Sequence, residues 1–256
     1  MTVILEVHVE LQTIVDRIAE GLTSIDAQDE GGRFNRRTGE PYLKGLKTMS
    51  ERDVTTELVK WWPNAHPTDF GQLLEVIGEV PYPKSINDRC DIVIREISTE
   101  KPVWAIEVKH IALVGDNGKN NDYGVAKMLS PYLKDRSLRH DMIRLRDSGF
   151  GCSSATVVYS FSYSSRSVKE ALSRYPMHLD RIGAMEKVRA SAQDEKGEYS
   201  IEPMVKLVTH MLETEGLANE TAKSEFSGAW AHPCGGEGIV AAWGVSKNPA
   251  KNLPNA

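Results

Sequence analysis

Asp91 and the triplet Glu107-Val108-Lys109 are the residues of this chain whose types and spacing suit catalysis. They fall in two runs rich in branched and aromatic side chains, Arg89-Cys-Asp-Ile-Val-Ile-Arg95 and Val103-Trp-Ala-Ile-Glu-Val-Lys109, separated by a short and mostly polar stretch. This pattern predicts a β-hairpin, with Pro102 tolerated at a strand start. With the turn centred on Thr99, residues whose numbers sum to 198 stand opposite one another, pairing Asp91 with Glu107 and Arg89 with Lys109. Opposed residues share a sheet face with Cβ atoms roughly 4.5–5.5 Å apart, and strand alternation puts positions 107 and 109 on that face together. Two carboxylates placed this way raise each other's pKa unless a cation lies between them. Mg²⁺ suits hard oxygen donors, and it commonly takes one or two carboxylates, several waters and substrate phosphate oxygens. Such an ion polarises a phosphodiester and acidifies an attacking water, while the Lys109 ammonium orients that water or stabilises charge on the phosphorane. The chemistry expected of the trio is phosphodiester hydrolysis; the bland alternative is a set of strand-end charges in water.

The elements that must position these groups follow from periodicity. Trp104, Ile106 and Val108 form a wholly apolar opposite face on the second strand, to be backed by helices. Apolar residues from Ile4 to Leu22 recur every three or four positions, predicting a helix over about 4–22. Ser50 caps a second helix with Asp53 in the capping-box position, and Val54, Leu58, Trp61 and Trp62 form its stripe until Pro63 stops it. Residues 73–80 read as a strand, 123–147 as helix restarted at Ser130-Pro131, and 155–163 as a further strand. Helices are expected from Ser164 or Ser165 to Tyr175, over 179–192 and over 200–215, the last ended by Gly216. Beyond 217, residues 238–245 add one strand and 246–256 form a loose tail.

Asp91, a hairpin-sized gap and Glu107-Val108-Lys109 resemble the PD-(D/E)XK nuclease superfamily, which includes many type II restriction endonucleases and several repair and recombination nucleases. The resemblance covers roughly residues 50–165. It implies an α/β fold with a restriction-endonuclease-like mixed central β-sheet flanked by helices, and additional helices toward the C-terminus. It implies Asp91, Glu107 and Lys109 as catalytic residues and Asp91 and Glu107 as ligands of Mg²⁺, with Mn²⁺ as a substitute. The leading-helix Glu of that family often assists the metal, which points here to Glu57 as a further ligand; Glu79 is the rival accessory acid. Cys90 stands where the family's name-giving pattern has proline.

Composition sets the outer bounds. The 256 residues, 40% hydrophobic and 26% charged, support one main core: a single nuclease domain over 1–245, comprising an N-terminal helix and basic loop (1–49), the catalytic core (about 50–165) and a helical C-terminal extension (166–245). No apolar run approaches the roughly 20 residues of a membrane span, and three scattered cysteines favour a reducing cytoplasm. A net charge of −5 confines any polyanion site to local patches. One patch is Arg33, Arg36, Arg37, Lys44 and Lys47 against Glu40, with Phe34 and Tyr42 interleaved. The other lies between residues 119 and 146, where Arg136, His140 and Arg144 recur every four residues and Arg139 lies beside them. The expected partner is double-stranded DNA, bound by a homodimer if the target is palindromic. The expected activity is that of a restriction-type endonuclease, against a repair or structure-specific nuclease, or a nucleic-acid-binding protein without turnover. Other signals are discounted: the His232-Pro-Cys-Gly-Gly-Glu237 stretch lacks a second pair at zinc spacing, and His110 is expected to pack on the strand's opposite side.

Overall fold

A computed structural model of the chain describes residues 9–35, 38–70, 73–115, 121, 128, 130, 136–174 and 196–247. Helix α1 (Leu11–Gln28) begins later than the expected residue 4, with Glu10 as an extended N-cap, and carries the expected stripe from Leu11 on. It runs beyond 22 because Ile25 follows Leu22 at helical spacing and keeps the buried face continuous, while Ile4 and Val7 lie outside the described residues. Helix α2 (Glu51–Ala65) starts as expected, with the Ser50 hydroxyl accepting from the Asp53 backbone N–H. Pro63 does not stop it. The proline sits in the last turn, and the His66 N–H closes the helix on the Trp62 carbonyl.

Three antiparallel strands follow, β1 (Leu74–Tyr82), β2 (Ser85–Glu96) and β3 (Pro102–His110). The β2–β3 ladder pairs Ile92 with Ile106, Val93 with Ala105 and Ile94 with Trp104, each summing to 198, before a bulge at Arg95. Helix α3 (Leu138–Asp147) then crosses back to β4 (Ser153–Phe161), which lies parallel to β3. Helices α4 (Ser165–Arg174) and α5 (Glu202–Thr214) precede a last hairpin of β5 (Ala218–Ala229) and β6 (Gly236–Val245). The result is an α/β protein whose six-stranded mixed sheet has the order β1-β2-β3-β4-β6-β5.

Residues 218–245 are therefore part of the main sheet: the strand expected over 238–245 is present as β6, while β5 is a second strand within the 166–245 extension that was expected to be otherwise helical. Strand β5 shows only Ala218, Ala222, Phe226 and Ala229 as buried along an otherwise polar edge, a pattern without the alternation that marks a half-buried strand. Strand β6 is buried almost throughout. Its Gly238 is required by close approach, since a Cβ there would lie 2.3 Å from the Phe226 ring and 2.3 Å from the Ser160 carbonyl oxygen.

The two sheet faces differ in what covers them. Trp104 donates to the Val9 carbonyl just ahead of α1, and α1 packs on α2, β5 and β6. Helices α3 and α5 cover the opposite face, where Lys109 meets Asp141 of α3 and Trp243 donates to Thr209 of α5. Among the described residues no helix is long and apolar enough to cross a membrane. The expected helix over 179–192, most of that over 123–137 and nearly all of the tail lie outside the described residues.

Candidate active site

Antiparallel pairing in the expected register brings Asp91 beside the second strand: its Oδ2 accepts the Val108 backbone N–H at 2.7 Å. Glu107 and Lys109 share the face covered by α3. Both are buried, at 4% and 6% exposure, whereas Asp91 is half-buried. The three side chains thus converge, but beneath the surface and in company that the hairpin alone does not reveal.

Helix α3 supplies that company. Leu138, Met142 and Leu145 form its apolar stripe, and Asp141 stands within it, buried. Asp141 Oδ2 lies 2.8 Å from Lys109 Nζ. One turn on, Arg144 places Nη2 2.8 Å from Glu107 Oε1 and 3.0 Å from Asp141 Oδ1. The hydroxyl of Tyr82, from the end of β1, donates to the same Glu107 oxygen. Its ring stacks at a tilt on Phe150 and lies 5.2 Å below the Arg144 guanidinium. At the far end of β3, Glu51, first residue of α2, accepts the His110 backbone N–H at 3.2 Å, and its charge is felt at both Lys109 and Asp141.

Burial dominates the electrostatics. It pushes the Asp91 carboxyl up to about 6 against the hydrogen bonds from Val108 and Glu107. It pushes Glu107 well above the usual carboxylate range, helped by the negative charges of Asp91 and Asp141. Burial alone would pull the Lys109 ammonium down; Asp141, Glu51 and Glu107 outweigh it and keep the lysine charged. The same burial pushes Asp141 up against the pull of Lys109 and Arg144, yet a 2.8 Å contact in so enclosed a place is that of a charged pair. Counted together, four carboxylates (Glu51, Asp91, Glu107, Asp141) face two cations (Lys109, Arg144). Without a further cation this excess of acidic groups is relieved by protonation, Glu107 first, as the upward shifts of Asp91 and Glu107 show.

Asp91 and Glu107 offer the hard oxygens that Mg²⁺ or Mn²⁺ takes. Among the described residues no group of three or more His, Cys, Asp or Glu side chains is gathered as a ready metal cage. Mg²⁺ does not need one, since it keeps waters and completes its shell with substrate phosphate; the residues fit such an ion.

The other expected site residues lie elsewhere or do other work. Glu57 is on the outer part of α2, paired with Lys60 at 2.7 Å, and lines a 710 Å³ cavity with Arg33, Asp53 and Trp61. Glu79 has φ 55° and faces Arg52 at 3.6 Å, outside the cluster. The helix acid that reaches the site is Glu51, in the first turn of α2, rather than Glu57, to which the resemblance points. Arg33 is clamped to Asp29 at 2.6 Å and 2.7 Å. Lys47 is buried, donating to the Val114 carbonyl at 2.9 Å and to the Tyr163 hydroxyl, so it is not a phosphate-facing residue. Arg36 and Arg37, like Lys119, Lys127 and Lys134, lie outside the described residues. Arg136 precedes the helix with φ 45°, because Ser137 is the N-cap, and so does not share the face of His140 and Arg144. Arg139 pairs with Glu215 at 2.7 Å, and His140 sits 3.3 Å from the Ser137 hydroxyl. Among the described residues of the set, Lys44 and Arg136 are the exposed cations. His110 stacks on Tyr159 with ring centroids 4.7 Å apart, on the face away from Lys109. His232 is buried and accepts the Cys234 N–H, which makes that stretch a structured turn.

No protein-family model, curated protein or solved structure matches the chain.

Proposed function

We propose that the protein is a Mg²⁺-dependent endonuclease of the PD-(D/E)XK type acting on double-stranded DNA. The observation that carries the reading is the juxtaposition of Asp91 with Glu107 and Lys109 on adjacent strands, at the end of β3 where Glu51 of the leading helix arrives. The element order α2-β1-β2-β3-α3-β4 supports the reading, since the resemblance implies a leading helix, strands up to the E-x-K, a following helix and another strand. A divalent ion bound there supplies Lewis-acid polarisation of the phosphodiester and an acidified water. Asp91 and Glu107 would hold that ion, with Glu51 as the accessory acid. Lys109, kept charged by Asp141, orients the nucleophile and stabilises developing negative charge. Within the class the reading favours a restriction-type enzyme, working as a homodimer on a symmetric site, over a repair or structure-specific nuclease.

One observation favours a second reading, a nucleic-acid-binding protein with this frame and no turnover: Glu107 and Lys109 are buried, and the cavities of 710, 670, 420 and 340 Å³ are lined by other residues. Incubation of purified protein with supercoiled plasmid separates the two. Cleavage with Mg²⁺ or Mn²⁺, blocked by EDTA and lost in Asp91→Ala, Glu107→Ala and Lys109→Ala with DNA binding retained, supports the nuclease. Binding without cleavage under every divalent ion refutes it. Discrete fragments mark a sequence-specific enzyme, and dependence on branches, mismatches or ends marks the repair type.

A further inference from the structure

Arg144 holds a position that the nuclease reading leaves unexplained. Its Nη2 caps Glu107 Oε1 at 2.8 Å, on the oxygen that already accepts from Tyr82. It is also the second cation on Asp141, whose other oxygen is taken by Lys109 at 2.8 Å. If Arg144 swings away, Asp141 keeps Lys109 and Glu107 keeps its hydrogen bond from Tyr82, so Glu107 alone is left without a cation, and an incoming ion is what replaces it. Its side chain is 36% exposed, against 5% for Glu107 and 4% for Asp141, so it lies on the water side of the two carboxylates it pairs with. A guanidinium and a divalent ion on one carboxylate oxygen repel each other, and the guanidinium's planar fork matches a phosphate diester as well as it matches a carboxylate.

Building on the nuclease reading, we propose that Arg144 is a latch on Glu107: it fills the cation's place in the metal-free protein, yields that place to a divalent ion, and is thereby released to bind a phosphate of the DNA backbone. The closed arrangement covers the buried carboxylates, and the open one turns a surface-side arginine toward substrate only when the ion is present. Arg144 is then a positioning residue before the ion arrives and a substrate contact afterwards.

The test uses the full chain and reads metal uptake rather than turnover. Calorimetric titration with Mn²⁺ in the absence of DNA should give Arg144→Gln and Arg144→Met at least about tenfold tighter binding than wild type, a gain of about 1.4 kcal/mol, with Arg144→Lys in between. The salt dependence of DNA affinity provides the second arm. In Ca²⁺ the wild-type slope should exceed that of Arg144→Gln by about one phosphate contact, and in EDTA the two slopes should coincide. Equal or weaker Mn²⁺ binding by both variants, with cooperative thermal melts showing them folded, overturns the latch and leaves the nuclease reading standing. A slope difference that persists in EDTA also overturns it. Wild-type protein that takes up no Mn²⁺ overturns the reading and the latch together.

Discussion

Replacing Asp91 with Asn should make the protein more stable at neutral pH. The carboxyl of Asp91 is pushed to about 6 in the folded chain by burial, from 3.8 in an unfolded one, and that difference corresponds to about 3 kcal/mol. Because the folded pKa is raised, the folded state binds the proton more tightly than the unfolded state. The wild type is then free of this penalty below about pH 4, loses stability as pH rises through the interval up to about 6, and carries the whole penalty above it. Asparagine keeps the useful half of the interaction: its Oδ1 can accept the Val108 N–H that Asp91 Oδ2 accepts at 2.7 Å, and its amide can donate toward Glu107. Urea unfolding followed by tryptophan fluorescence, in EDTA at pH 4, 6 and 8, should show Asp91→Asn gaining nothing at pH 4 and up to about 3 kcal/mol at pH 8. Cleavage should be abolished in the same variant. A variant less stable than wild type at pH 8, or a gain independent of pH, would refute the claim that the carboxylate is held there at a cost.

Other perturbations have different signs. Asp141→Asn removes the charge that pairs with buried Lys109, and should cost about 3 kcal/mol in the same assay; a loss below about 1 kcal/mol would mean that Glu51 and Glu107 hold the lysine without it. Asp29 is depressed to about 2, chiefly by its hydrogen bonds from Arg33 and despite burial, so its contribution of about 2 kcal/mol is present above pH 4 and lost as pH falls toward 2. Acid titration of Asp29→Asn should show that deficit at pH 7 and none near pH 2. For DNA affinity measured in Ca²⁺, Lys44→Ala or Arg136→Ala should lower the salt slope by about one contact, whereas Arg139→Ala, whose arginine is paired with Glu215, should leave it unchanged; the reverse pattern would relocate the DNA face. Ca²⁺ should support that binding without efficient cleavage, because the larger and more loosely coordinated ion positions water poorly, and a Ca²⁺-activated cutter would contradict the proposed geometry.

The central hairpin was legible because its signal is local. Branched and aromatic runs on both sides of a polar turn determine the pairing, and a period of two leaves little freedom in register once one face must be buried; Ile92 opposite Ile106 follows directly. Strand β5 was not legible because an edge strand needs burial only where a helix touches it. Its buried positions, Ala218, Ala222 and Phe226, are four apart and look helical, and only pairing with β6 makes them a strand. The end of α2 illustrates the same limit: a proline in the last turn removes a single backbone donor, and whether the helix tolerates that depends on what surrounds Trp62, which is buried against Phe70 and donates to Asp69.

The candidate site divides along the same line. Asp91, Glu107 and Lys109 come from one hairpin and could be placed by register, whereas Asp141, Arg144 and Tyr82 reach the site across long chain separations. Asp141 nevertheless left a trace. A helix whose stripe is Leu138, Met142 and Leu145 has a carboxylate at the one intervening position that must also face inward. A buried carboxylate needs a cation or must take up a proton, so that position points to a buried lysine or arginine from another element. Lys109, the cationic residue on the inner face of β3, is the one that meets it. The reasoning extends to the whole cluster: apolar side chains of similar volume would hold α3 on the sheet at least as well as paired charges do, so packing gives no reason for three carboxylates, a lysine and an arginine to crowd this one interface. Chemistry on a charged substrate, as proposed above, would supply one.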